Sequence, residues 1–310
     1  MTDIPKQGPF FLAQLPSTDG QRLVVSDKTH HITLAPFEMH QTRQPADIVV
    51  SKPEYLSGVQ RVVEALKSGA ARKAVISRII HLARPAADDT SKLFNLLAQT
   101  YPNTLTYCFR DQEGQLWMGA TPEILLRKRG ETWETMSLAG TVKAGAEETF
   151  GEKEREEQAM VTEHILDVLK SNGCYALIVG TPEVVNAGPV SHIRTMIRFG
   201  SSLSGSEMAA KLHPTPAVCG LPTAAARELI SRTELHDRSY YTGYIGIEHH
   251  NGDEDYFVNL RCMRIHEDHY SLYVGGGITS SSDAEKEWQE TEMKSDTLSA
   301  IINRSRDILA

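Results

Sequence analysis

The chain has 310 residues, a formal net charge of −8, and 40% hydrophobic and 23% charged residues. This is ordinary globular composition, and the acidic balance excludes a nucleic-acid binder that relies on a broad basic face. No apolar run approaches the roughly 18 residues of a membrane span, and the polar start lacks the basic-then-apolar order of a signal peptide. Four cysteines (Cys108, Cys174, Cys219, Cys262) lie far apart with no Cys-x-x-Cys pair, which predicts reduced thiols and a cytoplasmic protein.

Patterning predicts strands at Phe10–Leu15 and Arg22–Ser26 around a turn at Ser17–Gly20. Pro53–Lys67 has helical spacing, with Leu56, Val59, Val62, Val63 and Leu66 on a broad apolar stripe. A strand at Lys73–Ile80 and a helix at Ser91–Thr100 follow, then strands at Leu105–Arg110, Leu116–Gly119 and Glu123–Arg127. A long helix is expected over Glu152–Ser171. Further strands fall at Ala176–Gly180, Pro189–Ser204, Tyr240–His250, Tyr256–His266 and Tyr270–Val274, and a last helix over Asp283–Leu309. Strands adjoin one another, and helices are interspersed without regular βαβ alternation. The expected fold class is therefore α+β with a large, mostly antiparallel sheet system. With no linker, repeat or low-complexity tract, residues 1–310 are expected to form a single domain.

Two helices carry acids on the stripe that should face the core. In the first, Val161, Ile165, Val168 and Leu169 extend backwards through Glu157 and Glu154. In the last, Leu298, Ile301, Ile302 and Leu309 extend backwards through Lys294, Glu290 and Glu287. Inward acids are costly unless paired or bound to a cation, and an oxygen-rich cluster of this kind suits magnesium. The alternative is that these first turns project beyond the core, where acids are solvated and favoured by the helix dipole.

Several segments together resemble the chorismate-utilising enzymes, the family of anthranilate, aminodeoxychorismate, salicylate and isochorismate synthases. They are Lys73-Ala-Val-Ile-Ser-Arg78, Gly119-Ala-Thr-Pro-Glu123, Leu138-Ala-Gly-Thr141, Lys153–Glu157, Tyr241–Gly246, Asn259-Leu-Arg261, Gly275-Gly-Gly-Ile278 and Glu287–Lys294. They occur in the family's order over roughly residues 53–302. The resemblance implies layered, mostly antiparallel sheets with outer helices around a central pocket, with residues 51–310 as the family-like core and 1–50 as a shortened N-terminal strand region. The segment His213–Pro222 resembles the isochorismate synthase version. This implies a reversible, Mg2+-dependent isomerisation of chorismate to isochorismate, with menaquinone or siderophore biosynthesis as its metabolic setting.

The resemblance also implies roles. Lys73 matches the base that activates water, a role needing burial or nearby cations to favour the neutral amine. Glu123 matches the general acid, which has to hold its proton near neutrality. Glu157 and Glu290 correspond to magnesium ligands, with Glu154 and Glu287 ligating through water. Arg261 and Tyr241 would hold the enolpyruvyl carboxylate, helped by backbone N–H groups around Gly275. Gly140, Thr141, His192, Ala217 and Lys294 would line the substrate. Read alone, Lys73 is a strand-start lysine, Arg261 an edge-strand arginine and His192 a core histidine. Gln158 departs from the family's usual histidine. Lys73 argues for water as the nucleophile, so no glutamine amidotransferase subunit is expected. Aminodeoxychorismate synthases place a lysine where this chain has Ala139, whereas salicylate synthases share the base, the acid and the metal ligands but go on to eliminate pyruvate.

Overall fold

A computed structural model describes residues 4–16, 23–38, 47–86, 88–145, 150–187 and 190–307. In chain order the first strands are β1 (Phe10–Gln14), β2 (Val24–Ser26), β3 (His31–Ala35), β4 (Lys73–Ala83), β5 (Leu105–Arg110), β6 (Leu116–Thr121), β7 (Ile124–Arg129) and β8 (Thr132–Lys143). They are followed by β9 (Tyr175–Val179), β10 (Glu183–Ala187), β11 (Val190–Gly200), β12 (Gly220–Leu221), β13 (Tyr244–Glu248), β14 (Glu254–Val258), β15 (Cys262–Ile265) and β16 (His269–Thr279). The helices are α1 (Lys52–Lys67), α2 (Thr90–Thr100), α3 (Glu152–Ser171), α4 (Gly205–Leu212), α5 (Thr223–Thr233) and α6 (Ala284–Asp307).

The strands form two antiparallel sheets. The first runs β12-β4-β16-β15-β6-β5-β1-β2; the second runs β10-β11-β8-β7-β14-β13-β3, with β9 also on β11. The sheets pack face to face through Phe11, Ile79, Tyr107, Phe109 and Trp117 of the first and Ile245, Ile247 and Phe257 of the second. On the outer face of the first sheet, α2 and α6 bury Leu93, Phe94, Leu97, Leu298 and Ile301. Next to them, α1 and α5 bury Val59, Val62, Ala226 and Ile230. On the outer face of the second, α3 and α4 bury Val161, Ile165, Leu169 and Met208. The expected α+β class is thus realised as a helix–sheet–sheet–helix stack. No helix is long and apolar enough to cross a membrane.

Helix ends follow local chemistry. Ser51 caps α1 in a capping box with Glu54, and Asp89 caps α2 by accepting from the Ser91 and Lys92 N–H groups. The same box at Ser204 and Glu207 starts α4, a helix the sequence expectations do not include, its cap Ser204 falling at the end of an expected strand. The spacing Ser204-x-x-Glu207 was the available signal.

The largest departures occur where the chain changes sheet. The expected strand Tyr256–His266 divides into β14 and β15, which belong to different sheets. Arg261, at the break, has φ +50°. The expected strand Tyr240–His250 starts only at Tyr244, because Ser239 and Thr242 take φ +48° and +61° in a turn. Strands β3, β8, β10 and β12 and helix α5 were not anticipated. The Ser17–Gly20 turn, Arg22, Pro189 and Leu309 lie outside the described residues.

One buried ion pair joins several of these pieces. Glu234 and Arg238 are both fully buried, with Arg238 Nε and Nη2 donating to Glu234 Oε2 and Oε1 at 2.9 and 2.6 Å. Burial alone would raise the Glu234 carboxyl, but the adjacent guanidinium holds it below its ordinary value. Arg238 also donates to the carbonyls of Val75 and Val218 and to Thr242 Oγ1, and Glu234 accepts from the Ser77 N–H. Strand β4, the segment before β12 and the turn before β13 therefore share one charged fork. Arg238→Met should lower stability by about 3–5 kcal/mol, because it strands a buried carboxylate. The double variant Glu234→Leu/Arg238→Met should recover much of that loss. Urea midpoints of the two proteins check both expectations.

Candidate active site

The cavity of interest lies between the sheets where the chain crosses from one to the other. After β6 the chain leaves the first sheet at Pro122 and Glu123 and enters the second at β7. After β14 it returns through Asn259, Leu260 and Arg261 to β15. The crossovers are tied together, with Ala120 N donating to Arg261 O at 3.1 Å and Val258 N to Glu123 O at 3.0 Å. Glu123 and Arg261 therefore enter one cavity from adjacent crossovers.

Glu123 is 4% exposed, and burial pushes its carboxyl up to about 7, even with the charges of Lys73, Lys294 and Arg261 pulling the other way. It is an acid that keeps its proton near neutrality. The Arg261 guanidinium donates to Thr297 Oγ1 at 3.0 Å and forms no ion pair with any carboxylate among the described residues. A buried fork left in this way suits an anion brought from outside.

His192 faces the same place because of a β-bulge. His192 pairs with Thr141 but Ile193 pairs with Ala139, which leaves Gly140 as the extra residue at φ +71°. Burial, with Arg261 and Lys294 nearby, pushes His192 down to about 3, so the ring is neutral. Its Nδ1 lies 3.1 Å from Gly140 O and its Nε2 lies 3.3 Å from Arg261 Nη2. The consistent tautomer carries the proton on Nδ1 and accepts from Arg261 on Nε2. Tyr241, 4% exposed and stacked on Tyr273 at 5.6 Å, approaches from the other side.

The floor is the glycine run of β16. Strand β15 ends its pairing with β16 at Tyr273, so Gly275, Gly276 and Gly277 keep only β4 as a paired neighbour among the described strands. Lys294 Nζ donates to Gly275 O at 3.0 Å and to Glu290 Oε1 at 2.6 Å. A Cβ on Gly277 would fall 2.3 Å from Glu157 Oε1 and 2.8 Å from Lys73 Cε. A Cβ on Gly276 would point at Glu287 Oε2, 3.1 Å away, and at Glu290 Oε1, 3.6 Å away. The absent side chains are what admit the acids.

Glu123, Gly140, Thr141, Glu157, His192, Ala217, Tyr241, Arg261, Gly275 and Lys294 all line the cavity. Four other expected residues stand back from the wall. Lys73 is fully buried behind Gly277, its Nζ 2.8 Å from Glu157 Oε1. Glu287, 1% exposed, and Glu290 lie at Gly276. Glu154 turns its carboxylate to accept from Gly151 N at 2.9 Å, at the start of α3, which is the helix-end role weighed for it from sequence.

Other residues act from behind. His213 does not reach the cavity; its Nε2 lies 2.7 Å from Thr242 O, beneath the turn that carries Tyr241. Burial pushes it down to about 4, so the neutral ring donates that bond. Gln158 is buried, and its amide donates to Ser137, Thr162 and Thr195, joining α3 to β8 and β11. Glu234 and Arg238 are given no role by the sequence, because Ser77 and Val75, the groups they brace, lie far away along the chain.

Known proteins resemble this chain in sequence and in fold. The chain is 30% identical over 238 residues to isochorismate synthase EntC of Escherichia coli K12, covering 73% of this chain but only 61% of EntC. It is 30% identical over 302 residues to isochorismate synthase DhbC of Bacillus subtilis, covering 89% of this chain and 76% of DhbC. The crystal structure of DhbC from Bacillus anthracis superposes with a TM-score of 0.79 at 27% identity, covering 95% of this chain and 83% of that one. The model describing the chorismate binding enzyme family matches residues 18–303, and the chain belongs to that family.

Proposed function

We propose that this protein is an isochorismate synthase, which interconverts chorismate and isochorismate by adding water at ring carbon 2, shifting the double bonds and expelling the carbon 4 hydroxyl. One observation carries the reading: a buried acid held protonated to about pH 7, Glu123, lines a cavity behind whose glycine floor the amine of Lys73 is buried. Lys73 takes the proton from water, and Glu123 gives one to the departing hydroxyl, so the proton count balances. Glu157 holds the Lys73 amine at 2.8 Å, so that pair has to part before the amine can act as the base.

Arg261 and Tyr241 grip the enolpyruvyl carboxylate, and neutral His192 orients the guanidinium without competing for its charge. Gly140, Thr141, Ala217, Lys294 and the Gly275 backbone surround the ring and its carboxylate. Glu157 stands at Gly277 and Glu287 and Glu290 at the adjacent Gly276, hard oxygen donors of the kind that suits Mg2+. We assign Glu157 and Glu290 as its ligands, with Glu287 acting through water; Glu154, expected from the sequence to act with Glu287, instead uses its carboxylate at the start of α3. Bound there, the ion would hold the ring carboxylate and stabilise charge building on it. The whole chain works as one catalytic unit in the cytoplasm, and with water as the nucleophile it requires no ammonia-supplying subunit.

Lys73→Ala and Glu123→Gln should still fold, the former with a lowered unfolding midpoint because it leaves Glu157 without its partner, and each should lose at least ~10²-fold in kcat/KM. Glu123 acts protonated, so its contribution is full below about pH 7 and lost above it. The alkaline limb of the pH–rate profile should therefore vanish in Glu123→Gln, and near-normal rates in either variant remove that residue from the mechanism.

Chelation should abolish turnover, and Mg2+ should restore it. Gly277→Ala, whose methyl would displace Glu157 and Lys73, should need more Mg2+ for half-maximal rate. Full activity in metal-free buffer overturns the metal assignment.

The product identifies the reaction. Chorismate and isochorismate are isomers with the same kinds of bonds, and a difference of ~1.4 kcal/mol gives only a tenfold ratio. Incubation from either side should reach the same mixture by chromatography, with little pyruvate in a coupled lactate dehydrogenase assay. Pyruvate released in step with chorismate loss would make the enzyme a salicylate synthase.

A further inference from the structure

A second group of ligating side chains lies at the opposite end of the first sheet. His81 and Ser271 are direct cross-strand partners in β4 and β16, and His269 lies diagonal to His81 on the same face. His266 faces His269 across the hairpin between β15 and β16, its N–H donating to His269 O at 2.9 Å. Asp47, on the chain leading into α1, reaches over this face. Its Oδ2 lies 2.8 Å from His266 Nε2 and accepts from Ser271 Oγ at 2.6 Å. His81 lies eight positions along β4 from Lys73, roughly 26 Å of extended strand, so the group is remote from the cavity.

The unsatisfied atoms in this group point at one another. His269 Nδ1 lies 2.7 Å from Asp268 Oδ1, which places the ring proton there and leaves the Nε2 lone pair facing inward. That Nε2 lies 3.6 Å from Asp47 Oδ2, and Asp47 Oδ1 lies 3.6 Å from His81 Nε2. Both Asp47 Oδ1 and His269 Nε2 are buried from solvent without a hydrogen-bond partner. The donor atoms of Asp47, His81 and His269 lie within 4.8 Å of one another. Around a tetrahedral ion with bonds of ~2.0–2.1 Å, donors stand roughly 3.3 Å apart, so small rotamer shifts suffice. Two imidazoles and a carboxylate suit Zn2+ and not the hard cation of the acid cluster.

We propose that Asp47, His81 and His269 bind a divalent transition-metal ion of the Zn2+ class, with His266 and Ser271 holding the Asp47 carboxylate. The ion pins the chain entering α1 to β4 and β16, so it stabilises the fold without taking part in turnover.

The test uses the full chain, stripped by chelator and returned to saturating Mg2+ so that the active-site acids are occupied, then titrated with Zn2+ by calorimetry. One Zn2+ should bind per chain and raise the unfolding temperature. Binding should weaken by about 100-fold or more in His81→Ala and in His269→Ala, and by about tenfold in Asp268→Asn, which removes only the group behind His269. Glu290→Gln should keep full Zn2+ affinity, and His81→Ala should keep wild-type chorismate turnover. Because turnover is read separately, failure of the isochorismate synthase reading leaves this result interpretable. Absence of Zn2+ binding, equal binding in His81→Ala and wild type, or loss of binding in Glu290→Gln overturns the site. As a second readout, Co2+ should give visible bands of imidazole ligation that are absent in His81→Ala.

Discussion

The active cavity depends on the chain changing sheets twice at one place. A strand that stayed in one sheet would satisfy its backbone along its whole length and direct its side chains alternately into a packed core or outwards. At Pro122–Glu123 and at Asn259–Arg261 the ladder breaks instead, and the two breaks are stitched to each other by backbone hydrogen bonds. Space opens between the sheets, and the side chains at the breaks enter it. Burial there makes Glu123 a protonated acid, while Arg261 keeps a guanidinium facing the same volume. Low polarity and fixed charge come from the same geometric event.

A second requirement is that the opening should not collapse. The Glu234–Arg238 fork braces β4 against the segment carrying Ala217 and Val218 and against the turn carrying Tyr241. His213 adds a neutral donor under that turn, and Asn259 Nδ2 donates to Tyr240 O on its other side. On the opposite wall the Gly140 bulge turns Thr141 and His192 into the cavity. Buried charge is costly, so a fork with all its partners in place marks a spot where position matters more than net stabilisation. Arg78 does similar work outside the cavity: it lies 3.6 Å from the Trp288 ring centroid and donates to Thr291, which holds α6 and its acids against β4.

Much of this was legible in the residues. The stripes of α3 and α6 carried Glu157, Glu290 and Lys294 to the sheet side, as their helical period required, and the motif order pointed to the residues that line the cavity. Glu154 was read onto the same stripe, yet its carboxylate bonds to the helix start, because a first-turn acid can serve either the interior or the orphan N–H groups. The glycines of β16 were read as close backbone approach to an anion. Their larger effect is to clear space for Glu157, Lys73, Glu287 and Glu290. The ring of His213 supports the wall and does not form it, while Ala217 of the same segment lines the cavity.

From the sequence alone, local pattern determined the α+β class, the major helices and which faces bear acids, because side-chain direction follows directly from a period of 3.6 or 2 residues. Tertiary structure decided the rest. Tyr256–His266 reads as one strand by composition, and only the partners available in two separate sheets divide it at Arg261. Whether Glu123 keeps its proton depends on burial by β6, β7 and β14 and on cations distant in the chain. Such properties follow from distance and dielectric between non-neighbouring residues, which no local period encodes.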